Sequence, residues 1–432
     1  MAKSTRSHNV KGASSWLRYT EGQRWCFLGV LFLVSTSSYF DRQVISVLLE
    51  PIKAEFGVSD TMLGLLGGPC FAAFYALAGI PIARWADRGN RRAIITLSLS
   101  MWSVMTILCG VTQTFLQLAV ARVGVGVGEA GAIPPAHSLI ADYFPPERRA
   151  TAIAVFTSAA TAGLLLGVGL GGYVAMKYGW RTAFLVAGAP GLLIALAAHF
   201  TLIEPRVGTH EIRVTQPTEA IRDSALHLRR KRSYVYALGG CLMYFLFSYG
   251  VLLFIPSFLT RVMRASATEA SVTYALVAAA GSVVGMICGG WVADRSARRD
   301  IRWLAWLPSL TLSLSGPLFA IALWVDHFLG FLALIFAVWA LVNGGLPPIF
   351  AAIHAVCGSR RRATAIAGVL FTATLFGGGL GPVITGAISD ALSLAHGVEG
   401  LRYALMLMTS LLPATGGLFY LFGQAIPADV ED

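Results

Sequence analysis

The chain has 432 residues, of which 13% are charged and 56% are drawn from the set AVILMFWYC, with a mean hydropathy of +0.68. Soluble proteins carry about 25% charged residues, so a soluble globule is excluded: too little polar surface exists to cover one. The net charge of +11 sits in short bursts between apolar runs, which points to membrane topology rather than to a nucleic-acid groove.

Residues 1–24 are polar and basic and form an expected cytoplasmic segment. The first apolar run, 25–49, lacks a small-residue cleavage pattern and has eleven more runs behind it, so it reads as a span and not a signal peptide. Spans follow at 60–83, 93–111, 114–141, 149–175 and 181–203, then at 233–259, 268–293, 303–325, 328–356, 363–389 and 403–424. Twelve spans at about 20 residues need about 240 residues. The fold class is therefore an all-α membrane protein with twelve transmembrane helices. Between the sixth and seventh spans, 204–232 contains Pro205, Pro217 and the burst Arg229-Arg230-Lys231-Arg232. It reads as a cytoplasmic basic linker, with Ile221, Ala225 and Leu228 on one face of a membrane-surface helix. It separates a bundle at 25–203 from one at 233–424, and 425–432 forms a tail. Six of the 33 Lys and Arg fall in the odd-to-even loops (Lys53, Lys177, Arg181, Arg261, Arg264, Arg402) and two lie inside spans; the rest are on the other side. The positive-inside rule then places both termini in the cytoplasm.

The two halves repeat. ARWADRGNRR at 83–92 corresponds to GWVADRSARR at 290–299 at an offset of 207, and RRATAIA at 148–154 returns unchanged at 361–367, an offset of 213. Pro134-Pro135 returns as Pro347-Pro348 at that same offset. Repeated helical halves in a membrane chain are the sequence mark of secondary transporters, whose bundles rock about a midplane site.

At these residues the chain resembles the major facilitator superfamily over essentially its whole length. Asp87, Arg88, Gly89, Arg91 and Arg92 match the family pattern after the second span, with Ala83 where glycine is usual. Arg122 and Gly126 match its R-x-x-x-G. Gly163, Gly167, Gly171 and Gly172 are similar to its antiporter motif, with Val168 where that motif has proline. Within the family, 39–60 and 122–144 resemble the Spinster branch, whose animal members are associated with sphingolipid and lysolipid transport. The resemblance implies two pseudo-symmetric six-helix bundles and a bacterial inner-membrane monomer.

Four ionisable residues lie inside spans: Asp41 and Arg42 in the first, Arg122 and Glu129 in the fourth. A central charge costs at least about 2.5–3.5 kcal/mol on insertion scales, so each needs a partner or a wet cavity. Asp41 and Arg122 fall at similar depth, about 12 Å from the outer end, and can meet. Glu129 lies two turns nearer the cytoplasm on nearly the same face. Purely structural ion pairs are the plain alternative, yet buried pairs stabilise weakly compared with apolar packing. Asp41 and Glu129 are expected to carry protons, with Arg42 and Arg122 as switchable partners that hold Asp41 ionised or bind a substrate head group. Asp87, Arg88, Arg91 and Arg92, with Asp294 and Arg295, are expected to latch the cytoplasmic ends. His137 and His354 have no second ligand at metal spacing, and the six cysteines show no paired short spacing. No metal, disulfide or cofactor is expected. Gly163, Gly167, Gly171, Gly377 and Gly381 read as packing residues.

The C-terminal half has no charge inside its spans, and Met243, Tyr244, Phe247 and Tyr249 are expected to form an apolar cavity wall. One charged and one apolar wall suit an amphiphile. The expectation is therefore proton-coupled transport of a lipid-like substrate by alternating access, with membrane lipids as surroundings and no nucleic-acid partner. The alternatives are a drug exporter or organic-anion carrier with the same fold, a non-transporting receptor, and a lipid enzyme. The last would need a nucleophile beside a His and a carboxylate, or an HExxH, and neither is in the sequence.

Overall fold

Several spans begin where a side chain satisfies the helix terminus. Residues 15–205, 221–265 and 267–430 are described by the computed structural model. Thr20 and Gln23 form a capping box at the start of α1 (Glu21–Phe56), and Gly57, at φ 63°, ends it. Ser59 caps α2 (Asp60–Gly67), which breaks at Gly68 and resumes as α3 (Pro69–Arg88). Asn90 caps α4 (Arg91–Cys109), and a Thr114–Gln117 capping box opens α5 (Phe115–Glu129). Next come α6 (Ile133–Tyr143), α7 (Pro146–Tyr178) and α8 (Trp180–Thr201). The second half comprises α9 (Ile221–Arg230), α10 (Arg232–Arg261), α11 (Ala267–Ala297), α12 (Trp303–Trp324), α13 (Phe328–Gly344), α14 (Leu346–Thr372), α15 (Gly379–His396), α16 (Gly400–Thr409) and α17 (Leu411–Asp429).

Ten stretches among the described residues are long and apolar enough to cross a membrane, and the last of them, Thr364–Asp429, contains two spans. The first helix, α1, is not among the ten because Asp41 and Arg42 interrupt its apolar run, yet its 36 residues reach about 54 Å. The twelve expected spans are all present. Several were expected to be unbroken and are not: the second breaks at Gly68 and the twelfth at Ser410, and two more break at proline pairs. The fourth span stops at Glu129 and restarts at Ile133, and the tenth stops at Gly344 and restarts at Leu346. The Pro-Pro pairs at 134–135 and 347–348 explain both breaks, since neither residue can donate to a carbonyl four positions back. Gly358, at φ 60°, marks the turn from the tenth span into the eleventh.

In the first half α1 packs on α7 and α8, α4 on α5 and α8, and α3 on α5; in the second, α10 packs on α15 and α17, α11 on α13, and α12 on α13 and α17. The halves meet where α1 faces α10, α2 and α3 face α15, and α7 faces α11. Small residues set the approach. A Cβ at Gly163 would come 2.8 Å from the Thr36 carbonyl on α1, and one at Gly381 2.6 Å from the Leu246 carbonyl on α10. Across the halves, a Cβ at Gly68 would come 2.6 Å from the Gly379 carbonyl.

The linker helix α9 forms as expected but is used differently. Leu228 is buried at 1% exposure against the protein, and α9 packs on α10 and α14. Its apolar stripe thus faces the protein at Leu228 and not the lipid; the side chains of Ile221 and Ala225 lie outside the described residues.

Candidate functional site

A cavity of about 350 Å³ lies between the halves, lined from the first half by Tyr39, Arg42, Gln43, Phe71 and Arg122 and from the second by residues of α10, α13, α14 and α15. Arg42 is its floor. The guanidinium stands 4.9 Å from the Phe71 ring centre, 4.8 Å from Tyr75 and 5.4 Å from Tyr39, a cage that favours a cation held partly out of water. Arg42 Nε donates to Glu129 Oε2 at 2.7 Å, and Ser38 Oγ donates to that same oxygen at 2.7 Å. Glu129 is wholly buried whereas the Arg42 side chain is 24% exposed. The arginine therefore separates the carboxylate from the cavity.

Asp41 follows a different course. Consecutive helix residues differ by about 100°, so Asp41 turns away from the cavity into the first half, where Oδ2 accepts from Thr106 Oγ1 at 3.2 Å and the carboxylate is fully buried. Arg122 donates to the Asp41 backbone carbonyl at 3.4 Å and lies over Phe71 at 5.5 Å. The expected pairing of both arginines with Asp41 is thus corrected. Arg42 holds Glu129, Arg122 hydrogen-bonds Asp41 only at its main chain, and adjacency in sequence set Asp41 and Arg42 on different faces. Glu129 Oε1, Asp41 Oδ1 and Arg42 Nη2 are buried and make no hydrogen bond within the protein, an expensive arrangement for groups kept only for stability.

The second-half wall also differs from expectation. Tyr244 and Tyr249 line the cavity, joined by Phe245, Ser248, Leu252 and Leu253. Phe247 is fully buried with its ring 5.9 Å from Phe319, and Met243 is outside the lining. Residues 245, 248, 249 and 252 share one helical face, and 247 falls off it. A π-helical turn at Ala373–Gly378 widens the eleventh span beside the cavity, where Thr374 and Gly378 contribute to the lining; such turns recur at functional sites.

The expected latch residues divide. Arg91 is 1% exposed and serves its own half: Nη2 meets Glu204 Oε1 at 2.5 Å, Nη1 meets Asp142 Oδ2 at 2.6 Å and Ser138 Oγ at 2.7 Å, and its backbone N–H donates to Glu204 Oε2 at 2.6 Å. Glu204 there complements the positive end of α4. In this conformation Arg91 thus serves the structure of its own half rather than a contact between the halves. Arg92 is half-buried with Nε making no hydrogen bond. Asp294 and Arg295 are exposed, with Arg295 over Trp291 at 5.8 Å. The side chains of Asp87 and Arg88 lie outside the described residues.

An ion network that sequence reading missed joins the halves at the end carrying the α1–α2 turn. Asp60, 1% exposed, accepts from Lys53 at 2.6 Å, from Arg261 at 2.7 and 2.9 Å and from Ser389 at 2.7 Å. Arg261 also reaches Glu50 at 2.7 Å. Asp390 accepts from the backbone N–H groups of Asp60 and Thr61, each at 2.8 Å, and from Thr61 Oγ1 at 2.5 Å. That end is sealed. Lys53 and Arg261 are two of the few basic residues on their side, and the sequence signal for a network is that acidic residues stand near Lys53 at Glu50 and Asp60. Nearby, the Arg181 guanidinium and the Trp180 indole hold the Glu55 carboxyl below the usual range.

Twelve spans in repeated halves around a central cavity define a class of membrane carrier. The chain belongs to the major facilitator superfamily, whose profile matches residues 31–324. It is 36% identical to an MFS-type efflux pump of Mycolicibacterium smegmatis over 94% of each chain. It is 26% identical to a sphingosine-1-phosphate transporter of Danio rerio, covering 91% of this chain and 82% of that one. Among solved structures it is similar to a bacterial homolog of the human lysosomal transporter Spinster in an inward-facing, unoccupied conformation. The TM-score is 0.88 at 30% identity, over 96% of this chain and 100% of that one. The relatives and the fold are those of transporters and not of enzymes.

Proposed function

We propose that the protein is a proton-coupled secondary transporter of an amphiphilic, lipid-like substrate with an anionic head, working as a monomer by alternating access between bundles at 25–203 and 233–424. The observation that carries this reading is the Arg42–Glu129 pair at the floor of a cavity whose opposite wall is aromatic and apolar. Arg42 presents a planar fork suited to phosphate or carboxylate, and Tyr244, Phe245, Tyr249 and Leu252 receive the tail. Arg122 adds the second positive charge beside Phe71. Protonation of Glu129 releases Arg42 toward the cavity; Asp41 is the second proton site, and its burial beside Thr106 makes it the slower one to exchange. With the basic loops in the cytoplasm, the sealed end is extracellular and the conformation inward-facing in a bacterial inner membrane.

The test is a candidate-lipid panel on purified protein in proteoliposomes, read as substrate flux and internal pH together. Substrate movement with a matched pH change supports the reading; flux with no proton movement ends the coupling, and no flux for any amphiphile ends the cargo. A second reading, a carrier of smaller organic anions or drugs, is favoured by the cavity's volume, near the lower end of the roughly 300–1,000 Å³ usual for small-molecule pockets. Affinity that does not grow with chain length would select it.

A further inference from the structure

We propose that the cavity between the α9–α10 corner and the end of α17 is a binding site for the phosphate group of an anionic membrane lipid. This cavity, of about 460 Å³, is lined by Arg230, Arg232, Tyr236, Gln424 and Asp429, with Leu421, Ala425 and Ala428 as its apolar side. It shares no residue with the central cavity. Arg230 ends the linker helix α9 and Arg232 begins the span α10, so both sit at the corner where the polar linker gives way to an apolar, membrane-crossing helix. That level is the depth of lipid head groups, whichever side of the membrane it faces. Both arginines are exposed and make no ion pair among the described residues.

The one acid in the lining is already occupied. Asp429 Oδ2 accepts from the Ser233 N–H at 2.9 Å, and the Asp429 carbonyl accepts from Lys231 Nζ at 2.8 Å. It caps α10 and ties the end of α17 to it, leaving the two guanidinium groups for an outside anion. A phosphate diester fits the remaining charge, because arginine pairs with phosphate through parallel hydrogen bonds, and Gln424 and Tyr236 can donate to glycerol oxygens. The apolar side argues for a lipid over a soluble phosphate. Leu421 is 43% exposed and its neighbour Tyr420 50% exposed, so the seam between α10 and α17 continues from the head-group level onto the lipid-facing surface, where an acyl chain can lie.

The test is native mass spectrometry of the full chain in mild detergent, titrated with phosphatidylglycerol, phosphatidylcholine or inorganic phosphate. Two arginines at head-group depth predict a preference for phosphatidylglycerol over phosphatidylcholine of about thirtyfold. Arg230→Ala with Arg232→Ala should abolish it, and millimolar inorganic phosphate should leave the lipid adduct in place. Both positions are exposed, so the double variant should fold; Gln424→Glu, which adds a negative charge to the same wall, makes the same test should it not. Equal binding of the two lipids, or a preference that survives both variants, overturns the proposal. Displacement by inorganic phosphate overturns the lipid assignment in favour of a soluble phosphate.

Discussion

The two halves share a scaffold and differ in what it carries. At the offset of 213 set by the Pro-Pro pairs, Arg122 corresponds to Ile335 and Glu129 to Val342, both fully buried. Between the first and seventh spans, Tyr39-Phe40 matches Tyr244-Phe245 and Pro51 matches Pro256, which sets Asp41 and Arg42 against Leu246 and Phe247. Every intramembrane charge of the first half has an apolar counterpart in the second. The second half instead contributes its charges, Arg261 and Asp390, at the sealed end where it meets the first. It also holds the π-helical turn, which the first half lacks at the matching place inside α7. One half thus carries the intramembrane charges, and the other supplies a wall and a clasp.

The largest expected effect comes from the clasp. Arg261→Ala leaves the buried Asp60 carboxylate with Lys53 and Ser389 alone and cuts its ion pair to the second half; breaking a buried ion pair from one side costs up to about 3–5 kcal/mol. Distances between spin labels on α2 and α15 should show the sealed end separating. An unchanged distance distribution would show that the small-residue packing at Gly68 and Gly379 suffices. Glu129→Gln comes next and tests the chemistry. One proton moving across 100 mV and one pH unit supplies roughly 2.3 plus 1.4 kcal/mol, several hundred-fold in concentration ratio. The Gln variant should lose that accumulation while retaining passive exchange, and any residual uphill transport removes Glu129 from the coupling.

Placing the charge in the wrong half is a direct attack on the comparison. Val342→Glu should lower thermal stability in detergent by about 2.5–3.5 kcal/mol, the insertion cost of an unpartnered central charge. A variant as stable as the parent would mean that the second half is as wet as the first at this depth. Arg42→Lys keeps the charge and loses the planar fork, so it should weaken an anionic amphiphile by about 1.5–3 kcal/mol and spare a neutral one. Smallest is Phe245→Ala, which should flatten the dependence on tail length, about 0.8 kcal/mol per buried methylene. Binding titrations over a series of chain lengths and head charges measure both.

The spans, the repeat and the family were legible because each rests on local signals: apolar run length, Gly and Arg at fixed spacing, a duplicated heptapeptide. That Asp41, Arg42, Arg122 and Glu129 lie inside long apolar helices was legible for the same reason. What the first and fourth spans do with those charges was not, because it depends on helix rotation. A turn of 100° decides that Arg42 rather than Asp41 faces Glu129, and that Phe245 rather than Phe247 faces the cavity. The break after Glu129 had its cause in plain view at Pro134-Pro135, but apolarity runs through the break and hides it. The clasp was illegible because residues 60 and 390 meet only when the halves close.

One side of that clasp is main chain. Asp390 grips the amide groups of residues 60 and 61, and every amino acid except proline presents such a group. Sequence drift at position 61 can therefore remove the Thr61 hydroxyl and leave two of the three bonds intact, whereas drift at 390 removes all three at once. Among descendants of this chain, the tolerance for change in this one contact is lopsided: the second half must keep the letter at 390, whereas the first half can change the letter at 61 and keep its grip.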